Sequence, residues 1–205
     1  MLKVPVINKS NNALPEYATS GSAGFDFCAN VDGVNEKLTW NCFLSRNING
    51  KIIEVTIYPG GRALIPTGLH MAIPEGYMLA IVTRSGLGLK KGVTMANSFG
   101  VIDADYRGDI GLIVQNNGFE PFTIQQGDKI GQGIIYKCEQ AEFTLVNELD
   151  ETERGEGGYS ARLTPFALFK DNNHEIPFYS ESNECTLDNI SEILNRYCNV
   201  KSTCN

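Results

Sequence analysis

ALIPTGLHMAIPEGYMLAIVT, Ala63–Thr83, decides how the rest of the chain is read. It holds three short β-prone runs, Ala63–Ile65, Leu69–Ile73 and Tyr77–Thr83, with Pro or Gly between them. Closely spaced strands with little helix point to an all-β sandwich or jelly roll. Working outward, Val93–Met95, Ile110–Val114, Phe122–Ile124, Ile130–Lys137 and Glu142–Val146 extend the pattern downstream, and no 11-residue stretch before residue 160 has a helical period. Upstream, Pro59–Gly61 reads as a turn, preceded by the alternating run Ile52–Tyr58. Phe25, Phe27 and Ala29 alternate with polar neighbours, so their apolar side faces a core while Asp26 points away from it. Leu2–Ile7 is a further β-prone run.

Residues 31–53 differ in character, being polar, mixed and without clear period, and read as an inserted surface hairpin. Trp40, the only tryptophan, is expected there as a packing anchor. The chain has 205 residues, enough for one domain with a sizeable core. Its 17 Lys+Arg against 24 Asp+Glu give a net charge of −7, which argues against a nucleic-acid-coating surface. A small anionic substrate needs only a few local cations. No apolar run reaches membrane-span length and the first residues lack the apolar core of a signal peptide, so an intracellular protein with no membrane partner is expected. Six scattered cysteines without a CxxC pair and two histidines, His70 and His174, form no metal-ligand pattern; free thiols are expected, with a Cys198–Cys204 link conceivable only outside a reducing compartment.

The chemistry concentrates in GVIDADYRGDI, Gly100–Ile110. If the backbone stays extended, Asp103 and Asp105 share a face and Ala104 turns to the other. A carboxylate at a strand end, held against a water, can serve as a general base. Asp, Gly and Arg are also ordinary turn residues, so the same stretch reads as a hairpin turn. Four other glycine-bearing polar stretches surround it in order: SAGFD (Ser22–Asp26), RSGLG (Arg84–Gly88), GDKIGQ (Gly127–Gln132) and ERGEGG (Glu153–Gly158). In the second, glycine lets backbone amides approach an oxyanion, Ser85 donates a hydroxyl and Arg84 a delocalised charge, though RSG is also a common turn and Lys90 and Lys91 read as a solvated pair. The third reads as a hairpin turn entering a strand.

Together the five stretches resemble the motifs of the homotrimeric dUTPase family over about residues 1–160, apart from the insertion at about 31–53. The resemblance implies a jelly-roll homotrimer with three active sites, each shared between three chains, hydrolysing dUTP to dUMP and pyrophosphate with Mg²⁺. That reaction limits uracil in DNA and supplies dUMP for dTMP synthesis. It makes Asp103 the base for a water attacking the α-phosphorus. Ser85, Gly86 and Gln132 become phosphate contacts with Arg84 beside them, and Asp26 an acid behind them that holds the site. Asn97 belongs to the hairpin that reads the uracil edge, and Tyr106 packs under the deoxyribose, leaving no room for a 2′-hydroxyl. No direct metal ligand is implied, the ion being held mainly by phosphates and waters.

By this resemblance residues 1–150 form the β domain and 151–162 a mobile arm, in which Arg154 closes over the triphosphate and Tyr159 stacks on the base. The sequence departs from the family after Gly158: the usual Phe-Gly-Ser-Thr-Gly is replaced by Tyr159, Ser160, Ala161 and Arg162. Residues 163–205 are a tail beyond the family pattern. Within it, Leu187, Ile190, Ile193, Leu194 and Tyr197 recur at helical spacing over Thr186–Tyr197, a surface for its own trimer or for another protein. Two other readings stand beside hydrolysis: a nucleotide-binding regulatory protein with weak or no turnover, and a related dCTP deaminase, against which the DADYRG stretch weighs.

Overall fold

The computed structural model describes residues 2–157 and, further on, the backbone of a two-stranded ladder, Lys170–Asp171 with His174–Glu175. Contacts divide the chain into Met1–Phe143 and Thr144–Asn205. In the first unit the elements are β1 (Val6–Asn8), β2 (Phe25–Cys28), β3 (Thr39–Arg46), β4 (Ile52–Pro66), β5 (Leu69–Met71), β6 (Tyr77–Val82), α1 (Ser85–Lys91), β7 (Val93–Met95), β8 (Gly100–Ile102), β9 (Gly111–Asn116), β10 (Phe122–Gln125) and β11 (Lys129–Lys137). They build two main sheets, β2-β11-β6-β8 and β10-β4-β9-β7 with β3 alongside β4, plus the small pair β1-β5. All pairings are antiparallel. This is the all-β sandwich expected of a jelly roll.

The core lies between the sheets. Val55, Ile57, Ala63 and Ile65 of β4 and Leu112 and Val114 of β9 face Phe25 and Phe27 of β2 and Leu79 and Ile81 of β6 in one buried cluster. Each large member, such as Phe27 or Ile57, contributes about 1.5–3 kcal/mol by leaving water. The alternation in Phe25–Cys28 reads buried, half-buried, buried, half-buried, so Asp26 stands on the outer face as expected.

Residues 39–58 form the expected hairpin, β3 turning through Asn47–Gly50 into β4. Two details correct the expectation. Pro59–Gly61 does not end a strand but bulges within one: β4 runs for 15 residues, and its Tyr58–Gly61 stand opposite the single residue Asn41 of β3, with φ 78° at Gly60 and φ 52° at Asn41. A side chain at Gly61 would run into the carbonyl oxygens of Asn41, Tyr58 and Trp40, so the bulge requires glycine there. Trp40 is no packing anchor, since it is 66% exposed on this chain. An edge strand has only one neighbour to cover an outward side chain.

Three more corrections concern local structure. RSGLG is neither strand nor turn but opens α1, whose seven residues are too few to show a period and include two glycines. Lys90 and Lys91 close that helix, where cations favour its C-terminal dipole. Glu142–Val146 forms no strand, and Phe143 and Leu145 are almost fully exposed. The N-terminal strand is confined to Val6–Asn8. Cys28, Cys42 and Cys138 are free thiols; the Cys198–Cys204 link and the Thr186–Tyr197 helix lie outside the described residues. Among the described residues no helix is long and apolar enough to cross a membrane.

Candidate active site

One group of site residues gathers where β2, β11 and β6 run side by side. Gln132 of β11 is paired with Asp26 on one side and Val82 on the other, so the three side chains share the outer face. Two residues beyond Val82, Arg84 leads into α1. Its Nε donates to Asp26 Oδ1 at 2.9 Å and its Nη1 to the Lys129 carbonyl at 3.0 Å. Lys129 Nζ lies 3.1 Å from the other oxygen, Oδ2. Burial pushes the Asp26 carboxyl up, but the Lys129 hydrogen bond and the Arg84 charge outweigh it and hold Asp26 below the usual carboxylate range. Ser85 and Gly86 stand in the first turn of α1, ahead of the intrahelical bonds that start with Leu87 and Gly88 donating to Arg84. The result is a cationic, amide-bearing corner suited to oxyanions.

The second group lies on the connection between the sheets. β7 belongs to one sheet and β8 to the other, so Asn97 sits on a sheet-crossing corner rather than in a hairpin within one sheet; Asn97 is exposed and Ser98 takes φ 59°. The same holds for Asp103–Ile110, which carries the chain from β8 back to β9. Gly127, likewise, turns β10 of one sheet into β11 of the other, with Asp128 Oδ2 accepting from the Gln125 amide at 2.8 Å.

Asp103 follows directly on β8 and is exposed, and its carboxylate takes no hydrogen bond or ion pair among the described residues. The extended geometry expected for Asp103 and Asp105 fails: the chain turns there, the Tyr106 amide donating to the Asp103 carbonyl at 3.2 Å, so the two acids do not sit on one strand face. Tyr106 is 42% exposed, which removes the core-aromatic reading. Its ring lies over Gly108, where a side chain would overlap it, and its hydroxyl donates to the Asp109 carbonyl at 3.0 Å.

The two groups do not meet within one chain. Along β6, Val82 marks the Gln132 row, Leu79 pairs with Ile102, and Asp103 follows one residue on. At the rise of a β-strand the two rows stand about 13 Å apart. Two surface cavities, of about 610 Å³ around Asp32, Glu36, Arg46 and Lys51 and about 250 Å³ around Glu16, Cys28, Thr67 and Lys129, take in neither Asp103 nor Ser85. In the second unit Arg154 is held locally, its Nε donating to the Gly157 carbonyl at 2.7 Å. Tyr159 and Arg162 lie outside the described residues.

Sequence reasoning gave no site role to Lys129, Asp109 or His70. Lys129 carried a signal in its place, directly after a turn and three residues before Gln132. The other two act through backbone contacts that no spacing reveals.

The dUTPase family profile matches residues 51–162. The deoxyuridine 5'-triphosphate nucleotidohydrolase of Finegoldia magna is 44% identical over 158 residues, covering 77% of this chain and 96% of the relative. That of Roseobacter denitrificans is 46% identical over 149 residues, covering 72% and 85%. Among solved structures, the dUTPase of Staphylococcus bacteriophage 80alpha with dUPNHPP superposes at a TM-score of 0.63 with 22% identity, over 80% of this chain and 100% of that one. A mutant dUTPase from phage phi11 of S. aureus, in which a structural Mg(II) ion is coordinated, does so at 0.57 with 22% identity, over 72% and 98%. At such identity these two speak for the fold alone. The profile spans more than half of the chain and the relatives most of their own length, and on that ground the chain belongs to the dUTPase family.

Proposed function

We propose that this chain hydrolyses dUTP to dUMP and pyrophosphate, as a homotrimer whose sites are shared between chains. The observation that carries the reading is the pairing of an exposed, unshared carboxylate at the end of β8 with a separate cationic corner built by Arg84, Lys129 and the first turn of α1. The names and 43–46% identity of the curated relatives support the substrate. Asp103 takes the proton of a water attacking the α-phosphorus in line, while Ser85, Gly86, Gln132 and Arg84 hold the phosphate chain. Asp26 keeps Arg84 aimed. Tyr106 closes the sugar side and Asn97 reads the base. Such chemistry depends chiefly on positioning and charge.

A site shared between chains is supported by the separation of about 13 Å between the two groups on one chain. The outer face of β8 and β11 also offers apolar surface for association, with Phe99, Val101 and Tyr136 between 43% and 51% exposed. Magnesium fits as a counter-ion of the phosphates: both Asp26 oxygens are engaged by cations, and no cluster of three His, Cys, Asp or Glu side chains exists among the described residues. Phosphate and water oxygens would therefore supply most of its shell, and when bound it neutralises charge on the phosphate chain. Residues 151–162, with Arg154 and Tyr159, act as the closing arm, and 163–205 as an accessory tail.

The test is pyrophosphate release from dUTP with dCTP and UTP as controls, with and without a chelator. Release confined to dUTP supports the reading. Binding of dUTP without release would favour the regulatory alternative.

A further inference from the structure

We infer that Asp109 is a positioning residue that sets sugar discrimination by anchoring the loop that carries Tyr106; the inference rests on the dUTP reading above. The loop from Asp103 to Gly108 is exposed along most of its length and has no strand partner. Asp109, half-buried at its far end, is where it is tied down. Asp109 Oδ1 accepts from the backbone amide of Gly68 at 3.0 Å and of Thr67 at 3.3 Å. Its main-chain carbonyl accepts from the Tyr106 hydroxyl at 3.0 Å. One residue thus joins the Thr67–Gly68 turn, itself fixed by φ 71° at Gly68, to the tip of the aromatic side chain.

Two further contacts close the loop around that strut. The Arg107 carbonyl meets His70 Nδ1 at 2.9 Å, and Arg107 Nη1 donates back to the carbonyls of Ala104 and Tyr106 at 2.6 and 2.9 Å. With Gly108 leaving the space beside it clear, the ring is pinned at its hydroxyl. Exclusion of a 2′-hydroxyl requires a wall that does not yield, because a ring free to swing by an ångström or so would admit one extra oxygen. A carboxylate bonded to two backbone amides is a stronger tether than a neutral acceptor.

The test compares Asp109→Ala, Asp109→Asn and Tyr106→Phe with wild type by kcat/KM for dUTP and for UTP. The ratio of the two does not depend on the concentration of folded enzyme, so a loss of folding alone leaves it unmoved. Asp109→Ala should raise UTP relative to dUTP by about tenfold, Tyr106→Phe should do the same in direction, and Asp109→Asn, which keeps the acceptor oxygen, should return most of the wild-type ratio. If wild type hydrolyses dUTP and the ratio in Asp109→Ala stays within about twofold, the inference is overturned while the function stands. Should Asp109→Ala fail to fold, an unchanged ratio in Tyr106→Phe overturns it equally. Wild type without activity on dUTP would refute the underlying reading instead.

Discussion

Replacing Asp26 by Asn tests whether the cationic corner is held together as described. In wild type each carboxylate oxygen serves one cation, Arg84 Nε at 2.9 Å and Lys129 Nζ at 3.1 Å. The Asp26 and Arg84 side chains are 22% and 32% exposed and Lys129 58%, so the arginine bond is shielded and the lysine bond largely screened. A hydrogen bond to a charged group is worth about 1.5–3 kcal/mol, and an exposed pair about 0.2–1 kcal/mol. Asn keeps an oxygen for Arg84 but loses its charge, and it turns an amide toward Lys129. It also escapes the cost of burying a carboxylate. The net destabilisation should be about 1–2 kcal/mol at neutral pH.

The pH dependence supplies the sharper test. Because folding lowers the Asp26 pKa from its ordinary 3.8, the carboxylate stabilises the fold fully above that value, and the contribution is lost as pH falls through the lower folded one. Urea unfolding at fixed protein concentration should show the full gap between wild type and Asp26→Asn at neutral pH and a narrowing gap below about pH 4. A gap that is absent at neutral pH, or that stays constant into acid, would refute the arrangement. Loosened aim of Arg84 should also raise KM for dUTP more than it lowers kcat.

Asp103→Asn should keep dUTP binding within roughly tenfold while turnover falls at least about a hundredfold, measured by calorimetric binding and pyrophosphate release; near-normal turnover would remove Asp103 as base. Stopping the chain after Asp150 should leave a folded trimer with weak binding and poor turnover, since Met1–Phe143 contains every strand of both sheets. Stopping after Leu163 should retain activity if Arg154 and Tyr159 suffice for closure, and collapse to the shorter level if the tail takes the place of the missing Gly-Ser-Thr-Gly contacts.

Most strand positions and the hairpin of β3 and β4 were legible because apolar alternation and Gly/Pro punctuation report local backbone state directly. Phe25–Cys28 and Ile130–Lys137 illustrate this, the observed strands lying within a residue of the expected ones. Pro59–Gly61 misled because those residues signal a bend equally well inside a bulged strand, and only the partner strand distinguishes the cases. Glu142–Val146 alternates like a strand yet pairs with none among the described residues, which pattern cannot show. The site divided along the same line. Asp26, Arg84 and Gln132 were picked out by the resemblance of their stretches to the family motifs, whereas Lys129 and Asp109 make contacts through a fold that brings residues tens of positions apart together.

A site divided between chains makes a demand that a site within one chain does not. Asp103 and the Arg84–Gln132 corner lie about 13 Å apart by strand rise, and in the trimer proposed above each site takes its base from one copy and its phosphate cradle from another. Asp103→Asn and Arg84→Ala trimers should each be nearly inactive alone. Unfolded together in equal amounts and refolded, they form mixed rings in which the two halves of a site are drawn independently, so about a quarter of the sites are intact in both and activity should return to about that fraction of wild type. The control is Arg84→Ala mixed with Gln132→Ala: both lie in the same corner of one chain, every copy is defective there, and no mixing can restore it. Recovery in the first mixture and none in the second requires the shared arrangement. If the first mixture yields no more than the average of its two parents, Asp103 and Arg84 must act from the same chain, and the loop bearing Asp103 must then move across the face of β6 to reach the phosphates.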